Sequence, residues 1–267
     1  ILNLKDAVLV LYTCPEDEKS HHHMSHVFFH PTDFAAMSTI KQTIPNLDKT
    51  IQLEVLPEDI EEIRSIVGEE VDLKDLILIH PGKWWPSKTF PEQWWQTVID
   101  ALSSQGHAVA LIGKTMDDKQ GFVDVTCPEG CYDFRDLTSL GGFIALISQA
   151  KITITNDSSP VHIAGAFDNW LITIPTCKMA DHVLPYRKGT QSYKTKAIMK
   201  KLVLDDLDLS WLSEAPDNID TVHGDIIDYL PEPQEIIDAV NSITFQECSR
   251  TERTGLKLEK VIGIESE

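Results

Sequence analysis

The segment 80–91, H-P-G-K-W-W-P-S-K-T-F-P, places glycine, serine and lysine between an aliphatic run at 76–79 and an amphipathic stretch. This pattern is typical of a turn from a buried strand into a helix. In open α/β sheets, ligands bind outside the carboxyl ends of the strands. Backbone amides freed by Gly82 and the ammonium of Lys88 could hold a phosphate group there, with His80 and Ser87 beside them.

A second polar turn, N-D-S-S-P-V-H at 156–162, follows the strand-like residues 151–155. Pro160 suits the first turn of a helix, and Ser158 and Ser159 would then lie at its N-terminus. Unpaired amides and the helix dipole attract anions there, by about 0.3–1 kcal/mol per charge at an exposed site. Two such turns at the carboxyl ends of parallel strands predict one shared pyrophosphate site.

Two residues of the second turn have alternative interpretations. Asp157 beside a diphosphate is unfavourable unless it binds hydroxyls, orients Lys88 or caps the helix; the alternative is an ordinary N-cap or Asx turn. His162 could contact a ligand or pack in the core. Neither polar turn matches G-x-G-x-x-G or the Walker lysine loop, so hydride transfer and ATP hydrolysis lose support.

The elements that must position these turns alternate between strands and helices. This alternation predicts βαβ units, a parallel sheet flanked by helices and a Rossmann-like α/β fold over residues 70–200. The predicted strands are 7–11, 27–29, 76–79, 108–112, 151–155 and 171–174. The predicted helices are 33–43, 58–67 ending at Gly68, one from Pro91 to Gly106 with core-packed Trp94 and Trp95, one capped by Thr138, one from Pro160 to Phe167, and 234–240.

We predict three parts in the chain. They are a partial N-terminal α/β segment at 1–50, the Rossmann-like domain at 51–204, and an acidic C-terminal helix and tail at 205–267.

Composition narrows the classes of function. The 267 residues carry a formal net charge of −19, which repels a phosphate backbone and makes a nucleic-acid partner unfavourable. Cys127 and Cys131 alone are a weak zinc pattern, so reduced cysteines and no metal are expected. Neither a membrane-length apolar run nor a signal peptide is present, which predicts a cytoplasmic protein with at most peripheral contact at the inner face of a membrane.

Four motifs occur together in order: H-P-G at 80–82, W-P-S-K-x-x-P at 85–91, D-L-T-S-L at 136–140 and N-D-S-x-P-x-H-x-A at 156–164. With them the chain resembles the heptosyltransferase family, glycosyltransferase family 9, of the two-domain GT-B architecture, over residues 55–200. The resemblance implies transfer of a sugar from a nucleoside-diphosphate donor to an acceptor, typically lipopolysaccharide inner core. It also implies that the Rossmann-like domain at 51–204 binds the nucleotide sugar.

The resemblance assigns roles by position. Lys88 would neutralise the donor diphosphate and Asp157 would contact the transferred sugar, as the two catalytic residues. Lysine and helix dipole would replace a divalent cation, so no metal and no cofactor beyond the donor is implied. The implied donor-binding residues are His80, Gly82, Ser87, Asp117 on the ribose, Ser158, Ser159, His162 and Thr176.

The chain departs from the family pattern at several positions. Trp84 stands where a small hydroxyl residue is common, and Ser159 stands where glycine is common. Residues 1–50 are too few for the family's N-terminal domain and lack its glycine–aspartate motif, whose aspartate is the expected base. This predicts either a longer full protein or a reduced relative without catalysis.

The leading hypothesis is therefore an inverting, metal-independent glycosyltransferase, or its donor-binding half, that acts on a glycan or lipid-linked acceptor. One alternative is a non-catalytic scaffold or interaction module with a nucleotide-sugar fold. Another is transfer to a modified nucleic-acid base, which the acidic charge makes unfavourable.

Overall fold

The computed structural model describes residues 48–84, 88–117, 120–176, 184–188, 193–200 and 230–245. The predicted elements at 7–11, 27–29 and 33–43 lie outside the described residues, as do Ser87 and most of the acidic tail. Within the described ranges, no helix is long and apolar enough to cross a membrane.

The described helices and strands alternate along the chain as predicted. The helices are α1 (Pro57–Val67), α2 (Glu92–Ser104), α3 (Leu140–Gln149), α4 (Ser159–Gly165) and α5 (233–245), with a 3₁₀ turn at Leu73–Asp75. The strands are β1 (Ile77–His80), β2 (Gly82–Lys83), β3 (Val109–Leu111), β4 (Gly121–Phe122), β5 (Tyr132–Asp133), β6 (Ile152–Asn156), β7 (Trp170–Ile174) and β8 (Thr195–Ala197).

Six of these strands form one parallel sheet in the order β5-β3-β1-β6-β7-β8, which confirms the predicted α/β fold. The chain starts in the middle at β1, proceeds outward through β3 to β5, and then returns to β6 on the other side of β1. Strands β2 and β4 form a separate antiparallel pair. The order of the sheet therefore reverses between β1 and β6.

The sheet is covered on both faces, and β1 is buried throughout, as its continuous apolar sequence indicates. Because side chains alternate along a strand, Ile77 and Ile79 pack with α2 and α5, whereas Leu78 packs with α1, α3 and α4. Trp94 and Trp95 are 6% and 0% exposed, which confirms their predicted place in the core.

The predicted helix boundaries need three corrections. The helix α3 is capped by Ser139, whose Oγ accepts from the Gly142 amide at 3.0 Å; the prediction of Thr138 was wrong, and Thr138 is buried. The helix α4 ends at Gly165, before the predicted Phe167. The last helix extends over 233–245, beyond the predicted 234–240.

A half-buried arginine connects the outer strands to α4. The guanidinium of Arg187 donates to the carbonyls of Ala164, Asn169 (2.9 Å) and Lys194 (3.1 Å), which belong to α4, the start of β7 and the approach to β8. Burial lowers the pKa of Arg187 to about 10, so the side chain remains charged at neutral pH.

Candidate functional site

The candidate site lies where the sheet order reverses. The carboxyl ends of β1 and β6 are adjacent there, with His80 paired to Thr155 in the strand register. In doubly wound sheets the crevice at such a switch point is the usual ligand site. The two polar turns singled out in the sequence leave these two strands, so the fold brings them together as predicted.

An ion pair that is largely shielded from solvent joins the two turns. Lys88 Nζ lies 2.6 Å from Asp157 Oδ2, and the two side chains are only 17% and 7% exposed. The N-cap position of α4 belongs to Ser158, so the interpretation of Asp157 as the N-cap residue was wrong. Asp157 instead contacts Lys88, which is one of the roles considered for it from the sequence.

Asn156, to which the sequence motif gave no role, connects the same turns through the backbone. Its Nδ2 donates to the carbonyl of Gly82 at 2.9 Å and to the carbonyl of Lys88 at 2.6 Å. The residue is the last of β6 and is 2% exposed. No local signal in the sequence could show this, because its partners lie 68 and 74 positions away.

His80 and two hydroxyls form a buried polar network beneath the ion pair. The Nδ1 atom of His80 lies 3.1 Å from Thr155 Oγ1 and 3.3 Å from Ser158 Oγ, and these hydroxyls are 3.0 Å apart. Burial lowers the pKa of His80 to about 4, so the ring is neutral at physiological pH. The side chain of Ser158 thus contacts this network.

Gly82 is required by close packing. A Cβ atom at this position would lie 2.5 Å from Asn156 Oδ1 and 2.7 Å from His80 Cε1. The backbone of the first turn therefore approaches the network as closely as only glycine permits.

The start of α4 offers fewer amides than a regular helix terminus. Pro160 has no N–H, and the amide of Val161 donates to the carbonyl of Ser158 at 3.1 Å. Ser159 is the other first-turn residue with an amide, and its side chain is exposed, like that of His162 one turn further on. The exposure of His162 argues against a packed core histidine.

The remaining predicted donor residues lie in flanking loops at the same edge of the sheet. Asp117 follows β3, is exposed, and accepts from the Gln120 amide at 2.8 Å. Thr176 follows β7 and is half-buried. Since β3 and β7 are the outer neighbours of β1 and β6, the two residues follow strands on opposite sides of the switch point.

Asp136 holds the loop that carries Asp117. It has φ 60°, in the left-handed region, and its carboxylate accepts from the amide and hydroxyl of Thr115, both at 2.7 Å. These hydrogen bonds lower the pKa of Asp136. Asp136 is the first residue of the D-L-T-S-L motif, but the sequence did not indicate its structural role.

Across the described residues, no group of three or more histidine, cysteine or acidic side chains could hold a metal ion. Cys127 and Cys131 are free thiols, as expected.

Comparison with known proteins decides the family. The family model described as glycosyltransferase family 9 (heptosyltransferase) matches residues 28–201. The chain belongs to glycosyltransferase family 9. The resemblance recognised in the four motifs is thereby confirmed.

Curated relatives of this family 9 chain include two bacterial enzymes. It is 30% identical over 120 residues to lipooligosaccharide heptosyltransferase 2 of Haemophilus influenzae, covering 43% of the chain and 34% of the relative. It is 24% identical over 167 residues to lipopolysaccharide heptosyltransferase 2 of Escherichia coli, covering 61% of the chain and 44% of the relative. The matched region thus covers less than half the length of each of these two curated relatives.

Two solved structures share the fold of the chain. The E. coli ADP-heptose lps heptosyltransferase II has a TM-score of 0.55 at 19% identity, over 80% of this chain and 61% of that one. The glycosyl transferase family 9 from Veillonella parvula has a TM-score of 0.58 at 15% identity, over 83% and 61%. These likenesses support the fold and the GT-B type of domain.

Proposed function

We propose that this chain binds the nucleoside-diphosphate sugar donor of a heptosyltransferase-like enzyme and activates the donor for transfer. The observation that carries the proposal is the ion pair between Lys88 and Asp157 at the switch point between β1 and β6, in a chain of family 9. A largely shielded ammonium at the carboxyl edge of a parallel sheet suits a diphosphate, which brings concentrated negative charge.

Lys88 would stabilise the leaving group. During transfer the bond between the anomeric carbon and the diphosphate oxygen breaks, and negative charge develops on that oxygen. A positively charged group fixed near the developing charge lowers the barrier without reorganising. Lys88 would supply this charge, and the Ser159 amide at the start of α4 would add a hydrogen-bond donor.

Asp157 would change partners when the donor binds. In the described structure its carboxylate neutralises Lys88. A diphosphate approaching Lys88 would compete for the ammonium and free one carboxylate oxygen for hydroxyls of the transferred sugar. The carboxylate would thereby position both the lysine and the sugar.

We propose inversion at the anomeric carbon. The acceptor hydroxyl would attack from the face opposite the diphosphate, forming a new C–O bond as the nucleoside diphosphate leaves. The proton of the acceptor would pass to a general base, which must come from a residue other than those assigned here. Lys88 would make a divalent cation unnecessary at the diphosphate.

The favoured donor is ADP-heptose, because the E. coli neighbour is described as an ADP-heptose lps heptosyltransferase. The acceptor would be a lipopolysaccharide-type glycan, as the names of the curated relatives indicate. Cytoplasmic location and peripheral contact with a membrane stay predictions.

A non-catalytic scaffold is the second candidate. One observation favours it: Asp157 already neutralises Lys88, so the ion pair as described has no net charge to attract a phosphate. A scaffold would keep this pair as a structural tie between the two turns and would bind no nucleotide.

Calorimetry with ADP, GDP and UDP separates the two candidates. We expect saturable binding of one nucleotide to the chain, weakened at least about tenfold, or 1.4 kcal/mol, in Lys88→Ala. Lys74→Ala removes the same charge from an exposed position near the opposite edge of the sheet and should leave binding unchanged.

A double variant controls for the carboxylate of Asp157, which Lys88→Ala leaves without its ion-pair partner. Lys88→Ala alone leaves Asp157 buried and unpaired, which is destabilising in itself. The double variant Lys88→Ala, Asp157→Asn lacks both charges and should also bind the nucleotide weakly. Failure of all three nucleotides to bind the unaltered chain would favour the scaffold.

A further inference from the structure

We propose that Asn156 is a positioning residue that fixes the Lys88 turn against β6, and with it the place of the Lys88 ammonium. The inference rests on the proposed function, because the fixed ammonium is what the diphosphate would meet. It concerns a residue that would itself touch neither donor nor acceptor.

Both hydrogens of the Asn156 amide are used on the Lys88 turn. Nδ2 donates to the carbonyl of Gly82 at the beginning of the turn and to the carbonyl of Lys88 near its end. One side chain thus closes the loop from residue 82 to residue 88 through two hydrogen bonds. Because the donors are buried, each would cost free energy if left unpaired.

The other end of the amide is held by hydroxyls. Ser158 Oγ donates to Asn156 Oδ1 at 3.0 Å, and Thr155 Oγ1 lies 3.4 Å from the same oxygen. Turning the amide over would place its oxygen against two carbonyl oxygens. The orientation of Asn156 is therefore fixed by its surroundings.

Gly82 gives independent support for this contact. The first turn approaches so closely that a Cβ on Gly82 would lie 2.5 Å from Asn156 Oδ1 and 3.1 Å from its Nδ2. The turn is thus packed directly on this amide, with no space for a side chain between them.

Lys88 is consequently held at two points by consecutive residues of one turn. Asn156 binds its carbonyl, and Asp157 binds its ammonium at 2.6 Å. The strand β6 fixes the backbone of Asn156 through its parallel neighbours. Asn156 therefore fixes the backbone of Lys88 relative to the sheet, and Asp157 orients the side chain that carries the ammonium.

The chemistry of the contact selects asparagine. Aspartate has the same shape, but an ionised carboxylate would face two carbonyl oxygens with no hydrogen to donate. Leucine has a similar size and no polar atoms, and it would leave both carbonyls without this donor. Each variant should release the turn while retaining most of the packing.

The direct test measures the reactivity of the Lys88 amine. Asn156→Asp, Asn156→Leu and the unaltered chain are treated with acetic anhydride, and the acetylation rate of Lys88 is followed by mass spectrometry. Lys114, 57% exposed, is the internal reference. We expect Lys88 to react at least about tenfold faster in both variants, equivalent to 1.4 kcal/mol of lost protection.

The matched control is Asn169→Asp. Asn169 is also buried, and its Nδ2 donates to a carbonyl, that of Ile147, at 2.8 Å, but it lies at the start of β7, away from Lys88. This variant loses the hydrogen bond to the Ile147 carbonyl but keeps an oxygen facing the Arg187 guanidinium, 3.1 Å from Asn169 Oδ1, so it controls for a buried Asn→Asp change away from Lys88 and should leave the reactivity of Lys88 unchanged. Gly82→Ala would place a methyl group against the Asn156 amide and should also accelerate Lys88 acetylation. This variant tests the positioning role if the Asn156 variants do not fold.

Donor binding provides a second measurement of the role of Asn156. By calorimetry with ADP, Asn156→Asp should bind at least about tenfold more weakly than the unaltered chain, and Asn169→Asp should bind equally well. Unchanged Lys88 reactivity in a folded Asn156 variant would overturn the positioning role, whatever the nucleotide result. Faster Lys88 acetylation in a chain that binds no nucleotide would uphold the positioning role and count against the proposed function alone.

Discussion

The imidazole of His80 is buried in the site as a neutral ring among hydroxyls. It contacts Thr155 and Ser158, and burial lowers its pKa to about 4. A protonated ring would place an uncompensated charge inside the core. His80 supports the second turn as a neutral ring, and its contact with the donor stays a prediction.

This burial predicts a particular pH dependence of stability. The folded pKa of His80 lies below its unfolded value, so the unfolded chain binds the proton more readily as the pH falls. Stability from this residue is complete above about pH 6.5 and decreases towards about pH 4. Urea unfolding of the unaltered chain should lose about 1–2 kcal/mol more than His80→Gln between about pH 6.5 and pH 5. Parallel losses in the two proteins would contradict the neutral, buried assignment.

The residues of the site differ in how far the sequence could predict them. Lys88 and Asp157 were singled out because each lies in a polar turn after a predicted strand and matches a family motif, and the structure brings the two side chains together. Asn156 was missed because its role depends on two carbonyls in a distant turn. Ser158 was expected at the phosphates, yet its hydroxyl contacts His80 and Asn156, which only the packing of two strands reveals.

At the scale of elements, the N-terminus of α3 depends on a contact from α1. Ser139 caps the helix, and its amide and hydroxyl donate to the carboxylate of Glu62 at 2.6 and 2.5 Å. These hydrogen bonds lower the pKa of Glu62. A Cβ at Gly142 would lie 2.5 Å from an oxygen of the same carboxylate, so a side chain there would displace Glu62.

Substitution of Ser139 separates the cap from the contact with Glu62. Ser139→Ala should reduce the free energy of unfolding by about 1 kcal/mol through the lost cap. Aspartate caps a helix as well as serine, but here it would place a carboxylate against Glu62, so Ser139→Asp should also be destabilised. Adding Glu62→Gln should recover stability in the aspartate variant. Thermal denaturation measures all three, and full stability of Ser139→Asp alone would contradict the role of Glu62.

The same contact explains why the sequence predicted the wrong cap. Thr138 and Ser139 are both acceptable caps by residue type, and the choice depends on Glu62, 77 positions earlier. The strand β8 was missed for a related reason: its residues Thr195–Ala197 are half-buried at the sheet edge and carry no run of aliphatics. The central strand β1 was predicted because burial on both faces agrees with the continuous apolar run at 76–79.

At the scale of the whole molecule, the order of the strands creates the site. The order reverses between β1 and β6, where doubly wound sheets usually bind their ligand, and neither strand could form that arrangement alone. The sequence predicted that two turns would meet there, and the ion pair between them confirms it. The sequence alone did not give the strand order, because pairing between strands is not encoded in local periodicity.

The total charge makes a prediction about partners. A formal charge of −19 repels polyanions, so transfer to a nucleic-acid base should fail at the binding step. Fluorescence anisotropy with a labelled oligonucleotide should detect no binding of the full chain at about 0.15 M salt. Saturable binding with micromolar affinity under these conditions would support transfer to a nucleic-acid base.

The most direct measurement of the central claim is a crystal structure of the chain with ADP. We expect the diphosphate between the carboxyl ends of β1 and β6, with a phosphate oxygen within about 4 Å of Lys88 Nζ. Nucleotide bound at another edge of the sheet, with Lys88 still paired to Asp157, would contradict the proposed function.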